Sequence, residues 1–84
     1  MALSYKLFFT PSCPKCPAVK SFMKGVKMQG ELIDASKPEG LEEARRHDVS
    51  TVPTVLFFDE SGRKVGEAGS AEEANAEIAN GLQQ

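Results

Sequence analysis

Two cysteines three positions apart, Cys13 and Cys16, constrain this chain more than any other feature, and they are its only cysteines. Thiols at this spacing can close a small disulfide ring and reopen it. A bridge across so short a loop removes little freedom from the unfolded chain, so it would stabilise a fold only weakly. The spacing therefore indicates redox chemistry, and a pair of inert core thiols is the weaker alternative.

The cysteines lie where an apolar segment gives way to an amphipathic one. Residues 5–9 are short, aromatic and apolar, which predicts a buried strand. After the cysteines, apolar side chains recur at the spacing of one helix face, at Val19, Phe22, Met23 and Val26. Pro14 is predicted to be the first residue of this helix, where its missing N–H is no loss.

A position at a helix N-terminus gives each cysteine an expected role. The unpaired N–H groups and the positive end of the helix dipole lower the pKa of a thiol placed there. Cys13, at the exposed edge, is expected to attack a disulfide, and Cys16, one turn further in, is expected to resolve the product. Lys15 adds a positive charge nearby. It is either a solvent-exposed member of the motif or a group that tunes Cys13.

Two further apolar segments and a turn predict the remaining strands. Residues 31–34 form a second short strand, and residues 54–58 form the clearest strand in the chain. A polar turn that contains glycine follows, so residues 63–66 are expected to return as a hairpin partner. Because side chains of a strand alternate between its faces, Phe57 and Phe58 are expected on opposite faces of the sheet.

Two Ser-x-x-Glu patterns predict capping boxes that open two further helices. The first starts at Ser36 and its helix is expected to end near His47. The second starts at Ser70, and its helix is expected to bury Ala74, Ile78 and Leu82. The predicted fold is therefore α/β in the order β-α-β-α-β-β-α, a single domain over residues 1–84. It has a mixed four-stranded sheet with helices on both faces.

Charge is distributed unevenly along the chain. Residues 1–30 contain five lysines and no acidic residue, whereas residues 31–84 contain five basic and twelve acidic residues. The formal net charge of −2 therefore combines +5 on the first segment with −7 on the second. The positive charge near the cysteines is either a solvated surface or a field that favours acidic partners.

The start of the chain and its apolar runs bear on the expected compartment. Residues 1–6 lack the apolar core of a secretory signal peptide, and no apolar run approaches the length that spans a bilayer. A closely spaced cysteine pair without a leader is typical of a reducing compartment. We therefore expect a cytoplasmic monomer with neither nucleic acid nor a membrane among its partners.

Three motifs, taken together and in order, resemble the thioredoxin-fold family. They are Cys13-Pro14-Lys15-Cys16 after the first strand, Val52-Pro53-Thr54 before an apolar strand, and Val65-Gly66 in the last strand. The resemblance implies a minimal thioredoxin fold in which the Val52–Pro53 peptide bond is cis and lies opposite the cysteines. It also implies that the backbone of Val52 pairs with an extended substrate.

The small size of the chain is similar to that of glutaredoxins, although three positions depart from that family's pattern. Glutaredoxins commonly have tyrosine inside the motif, lysine three positions before the first cysteine, and Gly-Gly before the last helix. Here the corresponding residues are Lys15, Thr10 and Gly69-Ser70. The last two positions help hold glutathione in the family, so the resemblance implies electron supply from a reductase such as thioredoxin reductase. It further implies protein disulfides as substrates, with a ribonucleotide reductase among the candidates, and no organic cofactor or metal.

A second hypothesis uses the same two cysteines as metal ligands. Two thiolates suit Cu(I), and soft-metal chaperones also carry a Cys-x-x-Cys motif after a first strand. A closed zinc site needs four ligands, whereas only Cys13, Cys16 and His47 are available here. Such chaperones also have the order βαββαβ. We therefore favour thiol–disulfide exchange, in which Cys13 attacks and Cys16 resolves.

Overall fold

A computed structural model of the chain describes residues 3–81. Within that range, strands and helices follow one another in the order predicted from the sequence. They are β1 (Ser4–Phe9), α1 (Cys16–Lys24), β2 (Gln29–Asp34), α2 (Pro38–Arg46), β3 (Thr54–Phe58), β4 (Lys64–Ala68) and α3 (Ala71–Ala79). This order differs from the βαββαβ order of soft-metal chaperones. The predicted burial of Leu82 concerns a residue outside the described range.

The four strands form one sheet in the order β2-β1-β3-β4. Strand β1 is parallel to β2, with Phe9 opposite Asp34, and antiparallel to β3, with Phe8 opposite Thr54. Strand β4 is antiparallel to β3 and ends opposite Val55. The carboxyl ends of β1, β2 and β4 therefore meet the amino end of β3 at one edge of the sheet, which we call the upper edge.

An apolar cluster lies on each face of the sheet. The face covered by α1 and α3 buries Leu7, Val19, Met23, Val55, Phe57, Ala68 and Ala74. The face covered by α2 buries Phe8, Ala44, Leu56 and Phe58. The predicted division of Phe57 and Phe58 between the two faces is confirmed, as is the mixed sheet with helices on both sides. Each fully buried large side chain stabilises the fold by roughly 1.5–3 kcal/mol.

Helix α1 begins at Cys16, so the prediction that Pro14 is its first residue is wrong. Pro14 and Lys15 form a turn, and Lys15 takes the N-cap position with φ −95° and ψ −12°. A helix that began at Pro14 would need a hydrogen bond from the N–H of residue 17 to the Cys13 carbonyl. Pro17 has no N–H, so regular helical bonding starts later in the chain.

Helix α2 also starts one residue later than predicted, and Ser36 does not cap it. Lys37 is the N-cap residue, without a capping side chain, and Pro38 sets the first helical position. The N–H and hydroxyl groups of Ser36 instead donate to Asp34 Oδ1 at 2.9 and 2.6 Å. These hydrogen bonds hold the pKa of the Asp34 carboxyl below its usual value. The later start has another cause, since the residue before a proline disfavours the helical region: Lys37 is extended, with ψ 153°, so the helix can begin only at Pro38.

A charged contact joins α2 to the middle of the sheet. Lys6 Nζ on β1 donates to Glu43 Oε2 on α2 at 2.5 Å, and it lies 3.4 Å from Glu31 Oε1. The hydrogen bond with Glu43 raises the pKa of Lys6, and the same bond lowers the pKa of Glu43. Both side chains are largely covered, with 26% and 19% of their surfaces exposed. The contact therefore links α2 to a strand whose contacting residue lies 37 positions earlier in the chain.

Helix α2 packs closely on the turn after β2 because Gly40 has no side chain. Gly40 is buried, and a Cβ at this position would overlap the carbonyl group of Asp34. At Gly25, by contrast, a Cβ would have its nearest neighbour, the Phe22 carbonyl oxygen, at 3.7 Å. The two glycines therefore differ in the space available for a methyl group.

We expect Gly40→Ala to destabilise the fold by about 1–3 kcal/mol, because the new methyl group must push α2 away from the sheet. The midpoint of urea denaturation measures the effect. Gly25→Ala is the matched control and should change the midpoint little, since its methyl group meets only ordinary contacts. Equal midpoints for the two variants would contradict the close approach of α2.

Candidate active site

A tight turn at the upper edge of the sheet leads from β1 to the cysteines. The N–H of Cys13 donates to the carbonyl oxygen of Thr10 at 3.2 Å, which closes the turn. Pro11 and Ser12 lie at its centre and both are exposed. Proline is favoured at this second position of a turn because its φ is already fixed near the required value. The local sequence thus directs the chain from β1 to the start of α1.

The two cysteines are joined by a disulfide and differ in their exposure. Their Cα atoms are 5.4 Å apart. Cys16 is the first residue of α1 and has only 1% of its surface exposed, whereas Cys13 is half-buried in the turn before the helix. A partner approaching from solvent therefore reaches Cys13 and not Cys16.

The N-terminus of α1 is uncapped and carries no negative charge. No side chain caps this helix, and its first turn contains no acidic residue. The unpaired N–H groups and the positive end of the helix dipole therefore act on the cysteines without a competing anion. Pro14 and Lys15 are both exposed beside them, as expected of motif residues.

The loop before β3 emerges at the same edge as the cysteines. The Val52–Pro53 peptide bond is cis. Pro53 is buried, and the half-buried Val52 packs against the apolar cluster on the α2 face. Since Thr54 lies opposite Phe8, one residue before the end of β1, the loop and the turn that carries Cys13 leave the sheet side by side.

A buried hydroxyl that no sequence motif marks fixes this loop. Thr54 is 6% exposed, and its Oγ1 donates to the carbonyl oxygen of Thr51 at 2.8 Å. The bond closes the four-residue segment from Thr51 to Thr54, which contains Val52 and Pro53. A hydroxyl residue three positions after a potential acceptor is the signal that could have predicted it.

The start of α3 lies next to the same loop. A Cβ placed on Gly69 would be 3.8 Å from the carbonyl oxygen of Pro53. The predicted cap of Ser70 is present, since the N–H of Glu73 donates to Ser70 Oγ at 3.1 Å, but the Glu73 side chain does not return to the N–H of Ser70 as a full capping box requires. The carboxylate of Glu73 in turn accepts from the N–H of Gly69 at 2.7 Å. The backbone donor before α3 is therefore already occupied by an anion from this chain.

A cation–π contact joins α1 to the end of β1. Lys20 Nζ lies 4.0 Å from the centroid of the Phe9 ring. Such a contact contributes about 0.5–1 kcal/mol at an exposed position. No local pattern could have predicted it, because it depends on how α1 crosses the sheet.

His47, the third possible metal ligand in the sequence, is engaged elsewhere. Its ring packs edge-on against Phe58 with centroids 5.6 Å apart, and its Nε2 lies 3.4 Å from Glu43 Oε2. Across residues 3–81, the structure holds no group of three or more His, Cys, Asp or Glu side chains that could bind a metal ion. In the same range, no helix is long and apolar enough to cross a membrane.

Comparisons with known proteins agree with this geometry. The family model for glutaredoxin matches residues 5–61. A probable thioredoxin from Archaeoglobus fulgidus is 38% identical over 58 residues, which cover 64% of this chain and 64% of that protein. The match thus spans less than two thirds of that relative.

Solved thioredoxin structures share the fold. Oxidised thioredoxin O2 from Arabidopsis thaliana is 18% identical with a TM-score of 0.81, over 98% of this chain and 76% of that one. The reduced thioredoxin pre-protein of Schistosoma mansoni is 28% identical with a TM-score of 0.70, over 93% of this chain and 75% of that one. The thioredoxin fold expected from the sequence is therefore confirmed.

Replacing Thr54 by valine should weaken the loop before β3, because valine fills nearly the same space but cannot donate to Thr51. We expect the free energy of unfolding to fall by about 1 kcal/mol, the usual net contribution of one hydrogen bond. Urea denaturation measures the change, and Ser50→Ala at the exposed neighbouring position is the control. If Thr54→Val were as stable as the control, the hydroxyl would not be what fixes the loop.

Proposed function

Because this chain belongs to the glutaredoxin family, we propose that it is a thiol–disulfide oxidoreductase that reduces protein disulfides through Cys13 and Cys16. The observation that carries the proposal is the unequal burial of two cysteines within disulfide distance at an uncapped helix N-terminus. The sulfur of Cys13 can react with a substrate, whereas the buried sulfur of Cys16 can react only with Cys13.

The reaction follows from this arrangement in two exchanges. The Cys13 thiolate attacks one sulfur of the substrate disulfide, whose S–S bond breaks and whose other sulfur leaves as a thiolate and takes up a proton. The Cys16 thiolate then attacks the Cys13 sulfur and releases the second substrate thiol. Two electrons pass from the protein dithiol to the substrate, and the Cys13–Cys16 disulfide remains. The positive end of α1 favours the Cys13 thiolate that starts the sequence.

Substrate backbone is proposed to pair with the loop before β3. Among residues 3–81, the N–H and carbonyl groups of Val52 make no backbone hydrogen bond in the loop. They are therefore available to an extended segment, which would add a short strand beside the cysteines. Main-chain bonds of this kind bind a substrate without demanding a particular sequence. A ribonucleotide reductase is one candidate among the protein disulfides that such a site could accept.

The disulfide must be reset by an external reductant, and we propose a reductase such as thioredoxin reductase, acting in the cytoplasm. The start of α3 supports this choice over glutathione. A carboxylate of glutathione would compete there with Glu73, whose own carboxylate already accepts from the N–H of Gly69. Thr10 and Lys15 also replace the lysine and the tyrosine that glutaredoxins commonly have at these positions. The reaction needs no organic cofactor or metal.

Single serine substitutions test the roles of the two cysteines. Cys16→Ser should still attack but cannot release its product, so mixed disulfides with a substrate protein should accumulate. Cys13→Ser should lose attack and reduce insulin only at the uncatalysed rate. Non-reducing gels and mass spectrometry detect the trapped species. Trapping by Cys13→Ser and not by Cys16→Ser would reverse the assignment.

The electron source is tested by supplying the oxidised protein with thioredoxin reductase in one assay and with glutathione in another. We expect the glutathione-coupled rate to be at most about one tenth of the reductase-coupled rate, because glutathione would lose one charged hydrogen bond. Glu73→Ala is the matched variant, because it frees the N–H of Gly69 and should narrow the difference. Efficient turnover of the unmodified protein with glutathione, and none with the reductase, would contradict the proposal.

A further inference from the structure

One large apolar side chain beside α1 is left uncovered. Leu32 on β2 lies opposite Leu7 on β1, and side chains at paired positions point to the same face of a sheet. Leu7 is fully buried in the cluster that includes Val19 and Met23 of α1, yet Leu32 is 54% exposed. The apolar face therefore continues past α1 and ends in solvent at the outermost strand.

Two lysines of α1 lie on the side that faces this strand. Lys20 and Lys24 are four residues apart, so they share one side of the helix. Lys20 Nζ lies over the ring of Phe9, and Phe9 is paired with Asp34 at the end of β2. The shared side of the helix is thereby turned towards β2 and its exposed leucine.

The positive charge on this side is balanced only in part within the described chain, because the Lys20 ammonium acts on the Asp34 carboxylate at the end of β2 and helps to lower its pKa. Lys6 and Lys64 each have a glutamate partner, whereas within residues 3–81 no carboxylate lies within 4.0 Å of Lys20 or Lys24. The first 30 residues supply no acidic side chain that could be a close neighbour in the sequence. Solvated lysines alone would be an ordinary surface feature, but these two lie on the side of α1 that is turned towards the strand carrying the exposed Leu32.

The position of the lysines relates them to the proposed reaction. Helix α1 begins at Cys16, so Lys20 and Lys24 lie about 6 and 12 Å further along its axis. A folded protein whose disulfide has reached Cys13 is large enough to cover this distance, whereas a tripeptide held at the cysteines is not. The surface can therefore contribute only to the recognition of a macromolecular partner.

We propose that Lys20, Lys24 and Leu32 form a docking surface for an acidic protein partner, whose carboxylates pair with the lysines and whose apolar side chain packs on the leucine. The inference rests on the proposed function, since it is the partner's disulfide that docking presents to Cys13. A protein fits better than a nucleic acid, because an aliphatic side chain offers nothing to phosphate. The charge of −7 on residues 31–84 would also repel an extended polyanion.

Binding of two cysteine-free peptides to the oxidised protein tests this proposal. One peptide carries glutamates on both sides of a central leucine, and the other carries glutamines in their place. Fluorescence anisotropy at low salt should show tighter binding of the acidic peptide, and added salt should weaken it. The double variant Lys20→Gln/Lys24→Gln should lose about five-fold in affinity, as expected for two exposed ion pairs. Leu32→Ser should also weaken binding of the acidic peptide.

The matched control removes the same charge at the opposite end of the sheet. Arg63→Gln/Lys64→Gln should leave binding unchanged, because Lys64 pairs with Phe58, which lies opposite the first residue of β1. Equal affinity for the two peptides would overturn the proposal. So would an equal loss in both double variants, or binding of a single-stranded oligonucleotide as tight as that of the acidic peptide. If the double lysine variant did not fold, Lys24→Gln and Leu32→Ser would decide the matter separately.

The proposed function has its own readout in the same preparations. Each protein is first reduced to the dithiol and freed of reductant, and its single-turnover reduction of hydroxyethyl disulfide, which is small and uncharged, should be equal in the unmodified protein and in all surface variants. A protein that bound the acidic peptide but could not reduce this compound would contradict the proposed oxidoreductase and leave the docking surface supported. A protein that reduced the compound but bound both peptides alike would do the reverse.

Discussion

Complete burial of strand β3 is the constraint on which the rest of the structure depends. All five of its residues are buried, and they contribute to the apolar clusters on both faces of the sheet. The strand also pairs with β1 on one side and β4 on the other, so a shift of one residue would exchange its two faces. Its register is therefore fixed by the whole core. That register also sets the positions of the loop before β3 and of the turn that carries the cysteines.

Much of this arrangement could be predicted from the sequence, because the relevant signals are local. The order of the elements follows from apolar periodicity, and the division of Phe57 and Phe58 follows from the alternation of strand side chains. The N-cap predicted at Ser70 is confirmed by the hydrogen bond from the N–H of Glu73 to the hydroxyl oxygen of Ser70. At Ser36 the same pattern is wrong because Pro38 keeps Lys37 extended, so the helix begins one residue too late for Ser36 to cap it.

Other features could not be predicted because they join distant parts of the chain. The hydrogen bond between Lys6 and Glu43 links residues 37 positions apart, and no periodicity relates a strand residue to a helix residue at that distance. The contact of Lys20 with Phe9 likewise depends on the crossing of α1 over the sheet. The late start of α1 is a different case. The missing N–H of Pro17 is visible in the sequence, and it excludes the first hydrogen bond of a helix that starts at Pro14.

The burial of Cys16 has a consequence for the kinetics of the proposed reaction. With 1% of its surface exposed, this residue can exchange only with its neighbour in the turn, so every external thiol or disulfide must react at Cys13. The oxidised substrate and the incoming reductant therefore compete for one sulfur and cannot be bound covalently at the same time. Such a protein alternates between two forms, each of which accepts only one reactant, and its steady-state rates follow a ping-pong pattern. Of the two sulfurs only that of Cys13 is accessible, so the protein must release one partner before it reacts with the next.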